Sequence, residues 1–264
     1  MPNASYEHKW GMVVDLDKCT GCQGCVIACQ AENNIPINTK DYFLQRRAYE
    51  WIRIERYWEG EYPNVKARFM PVLCQHCENA PCEPVCPVYA TYHNEEGLNV
   101  QVYNRCVGTR YCINNCPYQV RMFNYWHPNW PARLENQLNP DVTVRSRGIT
   151  EKCTFCVQRI RRGELKVESQ GGQRLNDDTI AAGNYDPACV QACPTNALMF
   201  GDLSEDRQPS PSAIKPYFDD VNAHPGHGEH DRETRGYRLL EEMNTRPSVI
   251  YLKKVDPYPL KGGH

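Results

Sequence analysis

Cysteine is the residue type in this chain whose number and spacing could do chemistry. There are fifteen cysteines, and they fall into four groups. Cys19, Cys22, Cys25 and Cys29 form the first, Cys74, Cys77, Cys82 and Cys86 the second, and Cys106, Cys112 and Cys116 the third. The fourth is split, with Cys153 and Cys156 far from Cys189 and Cys193. Thiolates are soft ligands, so such groups either bind soft metals or pair as disulfides. An odd number leaves one thiol outside any closed set of disulfides. The chain is also longer than the usual disulfide-stapled scaffold. Metal ligation needs no even count.

The first group reads C-x2-C-x2-C-x3-C, the bacterial ferredoxin run. Three thiolates two residues apart can curl around one iron–sulfur cube. The fourth, a short helical turn later, points away to a second cluster, so two facing runs exchange their fourth ligands. The second group reads C-x2-C-x4-C-x3-C-P, and the third C-x2-T-x2-C-x3-C-P. The fourth is C-x2-C, an insertion, then C-x3-C-P. Proline at Pro87, Pro117 and Pro194 fixes φ and turns the chain away after the ligand. Gly21, Gly24 and Gly108 give the backbone freedom beside the thiolates. Zinc sites prefer two C-x2-4-C pairs, which this pattern does not match. Thr109 stands where the third group needs its second cysteine. A hydroxyl is a poor soft ligand, which leaves one corner of a cube without a thiolate. That corner reads as a three-iron cluster serving electron transfer, or as an open iron where substrate binds. The nearby Arg105, Arg110, Tyr111 and Asn114 show no acid–base constellation.

Short elements must hold these thiolates. Strand-like runs precede the first three groups at Trp10–Leu16, Phe69–Leu73 and Leu98–Tyr103, and Ala197–Leu203 follows the fourth. Cys25–Glu32 predicts a short helix. Trp51–Trp58 alternates apolar and polar residues like a half-buried strand, and Val249–Val255 reads as a final strand. Asn124–Arg147 and residues 157–188 read mostly as loop. Glu205–His230 carries four prolines and predicts a tether, and Asp231–Met243 predicts a helix. His224, His227 and His230 are spaced like metal ligands, but in a Gly/Pro loop they read as solvated.

A formal net charge of −2 gives no basic face for nucleic acid. The first residues lack a basic stretch followed by an apolar core, so no secretory signal is visible. No window approaches the roughly 20 apolar residues of a membrane helix. The expectation is a soluble or peripherally bound protein whose export, if any, depends on another chain.

The strings DLDKCTGCQGCVIAC (15–29), CQHCENAPCEPVCP (74–87), RCVGTRYCINNCPY (105–118), KCTFC (152–156) and CVQACPTNAL (189–198) resemble the four-cluster iron–sulfur subunits of complex iron–sulfur molybdoenzymes. These include the dimethyl sulfoxide, polysulfide, tetrathionate and nitrate reductases. With QAENNIP (30–36), the third string is most similar to the iron–sulfur part of alternative complex III and related quinone reductase complexes. The resemblance covers roughly residues 10–203. It implies an α+β fold of two interleaved ferredoxin-like domains with loop-rich insertions. Residues 10–32 and 148–203 would form the first domain and residues 66–125 the second. Residues 33–65 and 126–147 would be insertions, and residues 204–264 a C-terminal extension that packs on the domain or binds a partner.

The resemblance also implies the ligand sets. One [4Fe-4S] cluster would use Cys19, Cys22, Cys25 and Cys193, and a second Cys29, Cys153, Cys156 and Cys189. A third would use Cys74, Cys77, Cys82 and Cys116. A [3Fe-4S] cluster would use Cys86, Cys106 and Cys112, with Thr109 at the vacant corner. No cysteine is left over, and no separate mononuclear metal site is implied. The implied role is a non-catalytic electron-transfer subunit. Its implied partners are a polytopic quinone-binding membrane subunit and a molybdopterin-type subunit or haem c protein. The implied place is the periphery of the bacterial inner membrane, on the periplasmic face with a partner's export signal, or alternatively on the cytoplasmic face. Lys18, Arg105, Arg110 and Lys152 adjoin ligands, where they could raise cluster potentials or simply be solvated. Tyr111, Tyr118, Tyr125 and Trp126 are expected to pack over clusters.

Overall fold

A computed structural model describes residues 8–171, 185–204, 212–224 and 234–255. It combines short helices with short strands. At its centre is β1 (Trp10–Asp15), every residue of which is buried. It lies inside a four-stranded sheet with β8 (Leu198–Asp202), β10 (Val249–Leu252) and β9 (Gly236–Tyr237), in the order β8-β1-β10-β9. β1 runs antiparallel to β8 (Val13 opposite Met199) and parallel to β10 (Val13 opposite Ile250).

Alternation along β1 splits the interior into two. Trp10, Met12 and Val14 face the main core, which also contains most of the cysteines. Val13, with Ile250 and Leu252, faces a smaller core closed by Ile214, Phe218 and Val221. Phe218 and Val221 belong to the helix Lys215–Ala223. The central sheet thus walls the cysteine-bearing core from this helix.

Three antiparallel strand pairs surround that core. They are β2 (Ile52–Glu59) with β3 (Lys66–Leu73), β4 (Thr91–His93) with β5 (Asn99–Gln101), and β6 (Arg121–Phe123) with β7 (Thr150–Lys152). The helices are α1 (Gly24–Glu32), α2 (Lys40–Leu44), α3 (Tyr111–Asn114), α4 (Val157–Ser169), α5 (Ala188–Gln191) and α6 (Lys215–Ala223). Residues 126–147 are largely irregular, with one 3-10 turn at Leu134–Gln137. They are pinned to residues 33–34, because Asn34 and Asn139 exchange side-chain-to-backbone hydrogen bonds at 2.7–2.9 Å. Among the described residues no helix is long and apolar enough to cross a membrane.

Three expectations about elements need correction. The described part of residues 157–188 is not mostly loop, because α4 takes up Val157–Ser169. Its sequence is polar overall, but Ile160, Gly163 and Val167 at helical spacing supply a buried stripe. Tyr185 packs there so closely that a Cβ on Gly163 would lie 2.9 Å from it. Glu205–His230 is not simply a tether, because α6 lies within it. Pro216 occupies the first helical turn, where its missing N–H costs nothing. Asp231–Met243 is not a helix in its described part. Gly236–Tyr237 pairs with β10, and left-handed Leu240 and Asn244 bracket a single 3-10 turn. Pro209, Pro211, Pro225, His227 and His230 lie outside the described residues. Part of the C-terminal extension therefore packs into the central sheet.

Candidate metal centre

None of the fifteen cysteines is paired in a disulfide. The four groups share one backbone device. The residue two positions after the first cysteine has a positive φ in each: Gly21 (70°), His76 (43°), Gly108 (76°) and Phe155 (52°). That conformation curls the chain so that successive residues face a common centre. Glycine takes it without strain at Gly21 and Gly108, whereas His76 and Phe155 hold it against a steric penalty. The buried rings of His76 and Phe155 meet at 4.0 Å.

A second device closes the runs. After Cys86, Cys116 and Cys193 come a proline, another residue, and then a residue with φ near +50° (Tyr89, Gln119 and Asn196). The N–H of that left-handed residue donates to the cysteine carbonyl at 3.1–3.3 Å in all three. The next N–H turns to the sulfur. Ala90 donates to Cys86 Sγ and Ala197 to Cys193 Sγ, each at 3.2 Å, and Val120 bonds Cys116. A strand begins at the next residue in each case: β4, β6 and β8. The Cys-Pro endings are thus one structural unit used three times.

The sulfurs come together across the chain. Cys19, Cys22, Cys25 and Cys193 line one small pocket, with Gly21, Pro71 and Ile54 among its walls. Cys29 leaves its own run, and its electrostatic neighbours are Cys153, Cys156 and Cys189. Those of Cys77 are Cys74, Cys82 and Cys116. Cys86 and Cys112 both lie in the field of Arg121, while Cys106 Sγ accepts the Thr150 N–H at 3.4 Å. Neighbouring sets are also linked, Cys189 with Cys25 and Cys153 with Cys74.

Electrostatics tests whether metal fits. Burial, reinforced by neighbouring sulfurs, pushes the Cys25 thiol up to about 12. Burial likewise holds Cys153 at about 12 and Cys82 at about 11, and lifts Cys29 and Cys189 well above the ordinary thiol range. Such packed, dry thiols become thiolates only beside strong positive charge, which ligated iron provides. Burial also opposes ionisation at Cys86 and Cys193, but backbone N–H groups overcome it and lower both. Among the described residues no three Cys, His, Asp or Glu side chains close on a point where one ion would sit. The donor set fits larger clusters held at several corners.

Thr109 is exposed between Gly108 (φ 76°) and Arg110 (φ 64°). Cys22 is exposed between Gly21 (φ 70°) and Gln23 (φ 63°). The threonine therefore occupies the backbone slot of a second cysteine. Of the four basic residues beside ligands, Lys18, Arg105 and Arg110 are exposed and only Lys152 is buried. His224 is exposed and bonded to its own helix through the Asp220 carbonyl. Tyr118 is buried, Trp126 and Tyr125 are half-buried, and Tyr111 is exposed.

Two functional groups escaped the sequence reading. Asn33 Nδ2 lies 3.6 Å from both Cys29 Sγ and Cys156 Sγ. Arg121 donates to Cys82 Sγ at 3.2 Å. The closing unit after Cys116-Pro117, which delivers Arg121 at the start of β6, was the one available signal.

The 4Fe-4S dicluster domain family matches residues 65–130. The chain is 39% identical to the menaquinone reductase iron–sulfur cluster-binding subunit of Nitratidesulfovibrio vulgaris, over 94% of this chain and 90% of that one. It is 33% identical to the Hdr-like menaquinol oxidoreductase iron–sulfur subunit 1 of Archaeoglobus fulgidus, over 94% and 84%. To the arsenate respiratory reductase iron–sulfur subunit of Shewanella sp. it is also 33% identical, over 92% and 95%. The chain belongs to the family of iron–sulfur subunits of complex iron–sulfur molybdoenzymes. It is an electron-transfer subunit and not a catalytic one. Its ferredoxin-like dicluster domain mixes helix and strand, as its sequence implied.

Proposed function

We propose that the fifteen thiolates hold three [4Fe-4S] clusters and one [3Fe-4S] cluster in a linear relay. The first set is Cys19, Cys22, Cys25 and Cys193, and the second Cys29, Cys153, Cys156 and Cys189. The third is Cys74, Cys77, Cys82 and Cys116. The fourth is Cys86, Cys106 and Cys112, with Thr109 at the open corner. Residues 10–32 and 148–203 interleave as one ferredoxin-like domain around residues 66–125 as the other. The parting of Cys29 from its own run carries this reading. It neighbours Cys153, Cys156 and Cys189, while Cys193 lines the cavity of Cys19, Cys22 and Cys25. That crossing is the exchanged-ligand arrangement of paired ferredoxin runs.

Bound clusters supply one-electron storage at each site. The protein's own groups bind them, exclude water and donate N–H bonds to sulfur, which sets their potentials. Links between Cys25 and Cys189, between Cys153 and Cys74, and through Arg121 to Cys112 support the order first, second, third, fourth. At the [3Fe-4S] end the partner would be a polytopic quinone-binding membrane subunit. At the other it would be a molybdopterin-type subunit or a haem c protein, as in an alternative complex III-like respiratory complex. The menaquinone and menaquinol relatives support the quinone side. The arsenate respiratory reductase relative keeps the second reading, electron transfer to a molybdenum reductase, in view. The chain would lie peripherally on the inner membrane, on the periplasmic face with a partner's export signal, or alternatively on the cytoplasmic face.

Cys29→Ser tests the crossing. The paramagnetic resonance signal of the Cys153/Cys156 cluster should be lost or altered while that of the Cys19 cluster persists. Loss of only the Cys19 cluster would contradict the assignment. The subunits that copurify with the chain identify the partners.

A further inference from the structure

Among the described residues most buried charges are paired. Asp15 meets Arg235 at 2.8 Å, Asp202 meets His8 at 2.6 Å, Glu96 meets Arg161 at 2.9 Å and Arg145 meets Glu151 at 2.7 Å. Two buried cations are different. Arg121 is 3% exposed and Lys152 is 0% exposed, and among the described residues neither has a carboxylate within ion-pair distance. Every oxygen that Arg121 contacts is neutral. Its guanidinium donates to Gln101 Oε1 at 2.8 Å, and to Thr91 Oγ1 and Asn99 Oδ1 at 2.7 Å. Glu83, one hydrogen bond further out, is taken by His93 at 2.7 Å and by Asn99. Lys152 Nζ donates to the Cys153 carbonyl at 2.7 Å.

A buried cation without a counter-charge is strongly disfavoured. The neighbours of these two that would carry negative charge as cluster ligands are cysteine sulfurs. Arg121 touches Cys82 Sγ at 3.2 Å and faces Cys74, Cys112 and Cys116. Lys152 acts on Cys82 and on Cys153. Arg121 thus lies in direct contact with one thiol set, while Lys152, bonded at the Cys153 carbonyl, stands between that set and the Cys153 set with its charge felt at Cys82.

We propose that Arg121 and Lys152 are the counter-cations of the cluster held by Cys74, Cys77, Cys82 and Cys116, and that they raise its reduction potential above that of the Cys19 cluster. This rests on the ligand sets proposed above. One-electron reduction adds one negative charge to the cluster, and a fixed cation in a low-dielectric site stabilises the reduced form more than the oxidised one. No comparable buried cation without a carboxylate partner stands beside Cys19, Cys22, Cys25 or Cys193 among the described residues. An electron then rests on the third cluster in preference to the Cys19 cluster. Arg121 and Lys152 are positioning residues that act through the cluster.

The test is a potentiometric titration of the full chain, followed by paramagnetic resonance, for wild type, Arg121→Gln, Arg121→Lys and Lys152→Gln. Arg121→Gln keeps a hydrogen-bond donor but removes the charge. It should shift the reduction equilibrium of one cubane at least tenfold toward the oxidised form, about 59 mV lower, and leave the Cys19 cubane unmoved. Arg121→Lys should restore most of that shift, and Lys152→Gln should move the same cubane downward. Equal shifts in all clusters, or none, would overturn the proposal. If Arg121→Gln fails to assemble, the Lys152→Gln titration still decides it. Cys82→Ser tests the ligand set separately: an unchanged cluster complement there defeats the assignment, whatever the cations do.

Discussion

The first and third cysteine runs have nearly the same backbone and different chemistry. Cys19-Thr20-Gly21-Cys22-Gln23-Gly24-Cys25 and Cys106-Val107-Gly108-Thr109-Arg110-Tyr111-Cys112 align residue for residue. Their left-handed positions match to within about 6° in φ (70° and 63° against 76° and 64°). The slot between those positions holds a thiol in one run and a hydroxyl in the other. The curl that aims ligands at a common centre is thus shared by the two backbones, and on the proposed ligand sets a single side chain decides the cluster type.

Exchanging those side chains should give the largest effects. Thr109→Cys should complete the open corner. The paramagnetic signal of the oxidised protein should then vanish and reappear on reduction as that of another cubane. A signal persisting unchanged would mean that Thr109 does not mark the vacancy. The reciprocal change, Cys22→Thr, should give the Cys19 site an open corner and add a second oxidised-state signal. An oxidised spectrum identical to wild type would break the equivalence of the two slots.

Glycine changes separate the backbones. A Cβ on Gly108 would sit 2.4 Å from the Gly148 carbonyl oxygen, and one on Gly21 would sit 2.4 Å from the Phe69 ring. A ring can shift more readily than backbone. Gly108→Ala should therefore cost more than about 2 kcal/mol, left-handed strain plus a clash that cannot relax. Gly21→Ala should cost less, and Gly148→Ala, with open space around it, only about 1 kcal/mol. Apparent melting temperatures of the loaded proteins rank the three. If Gly148→Ala proved the most harmful, the packing argument would fail.

The smallest effect belongs to a polar contact. Asn33→Leu removes the side-chain donor shared by Cys29 and Cys156. The potential of their cluster should fall by less than about 59 mV, under tenfold in its equilibrium. A rise would show that Asn33 does not act as a donor to sulfur.

Cysteine spacing made the metal chemistry legible because neighbouring ligands on a curled backbone are local features. β1, β2 and β10 were legible for the same reason, as short apolar or alternating runs. The place of α6 was not, because Pro216 reads as a breaker until its position in the first turn is known. The sheet partner of β1 was equally hidden: β10 arrives from more than two hundred residues away, and no local pattern encodes that pairing. Arg121 escaped for the same reason. Its acceptors Thr91, Asn99 and Gln101 lie 20 to 30 residues back in the chain and Cys82 lies 39 back, so apart from its place after the Cys116-Pro117 closing unit nothing local marks the contact.

The central claim is that one shared backbone template holds cubanes at three sites and a three-iron cluster where Thr109 replaces a cysteine. Spin-quantified paramagnetic resonance of the anaerobically purified chain, taken from fully oxidised to fully reduced, tests it directly. One three-iron signal at one spin per chain is expected in the oxidised state, with cubane signals that emerge only on reduction. A silent oxidised state, or the absence of any cluster signal at every potential, would contradict it.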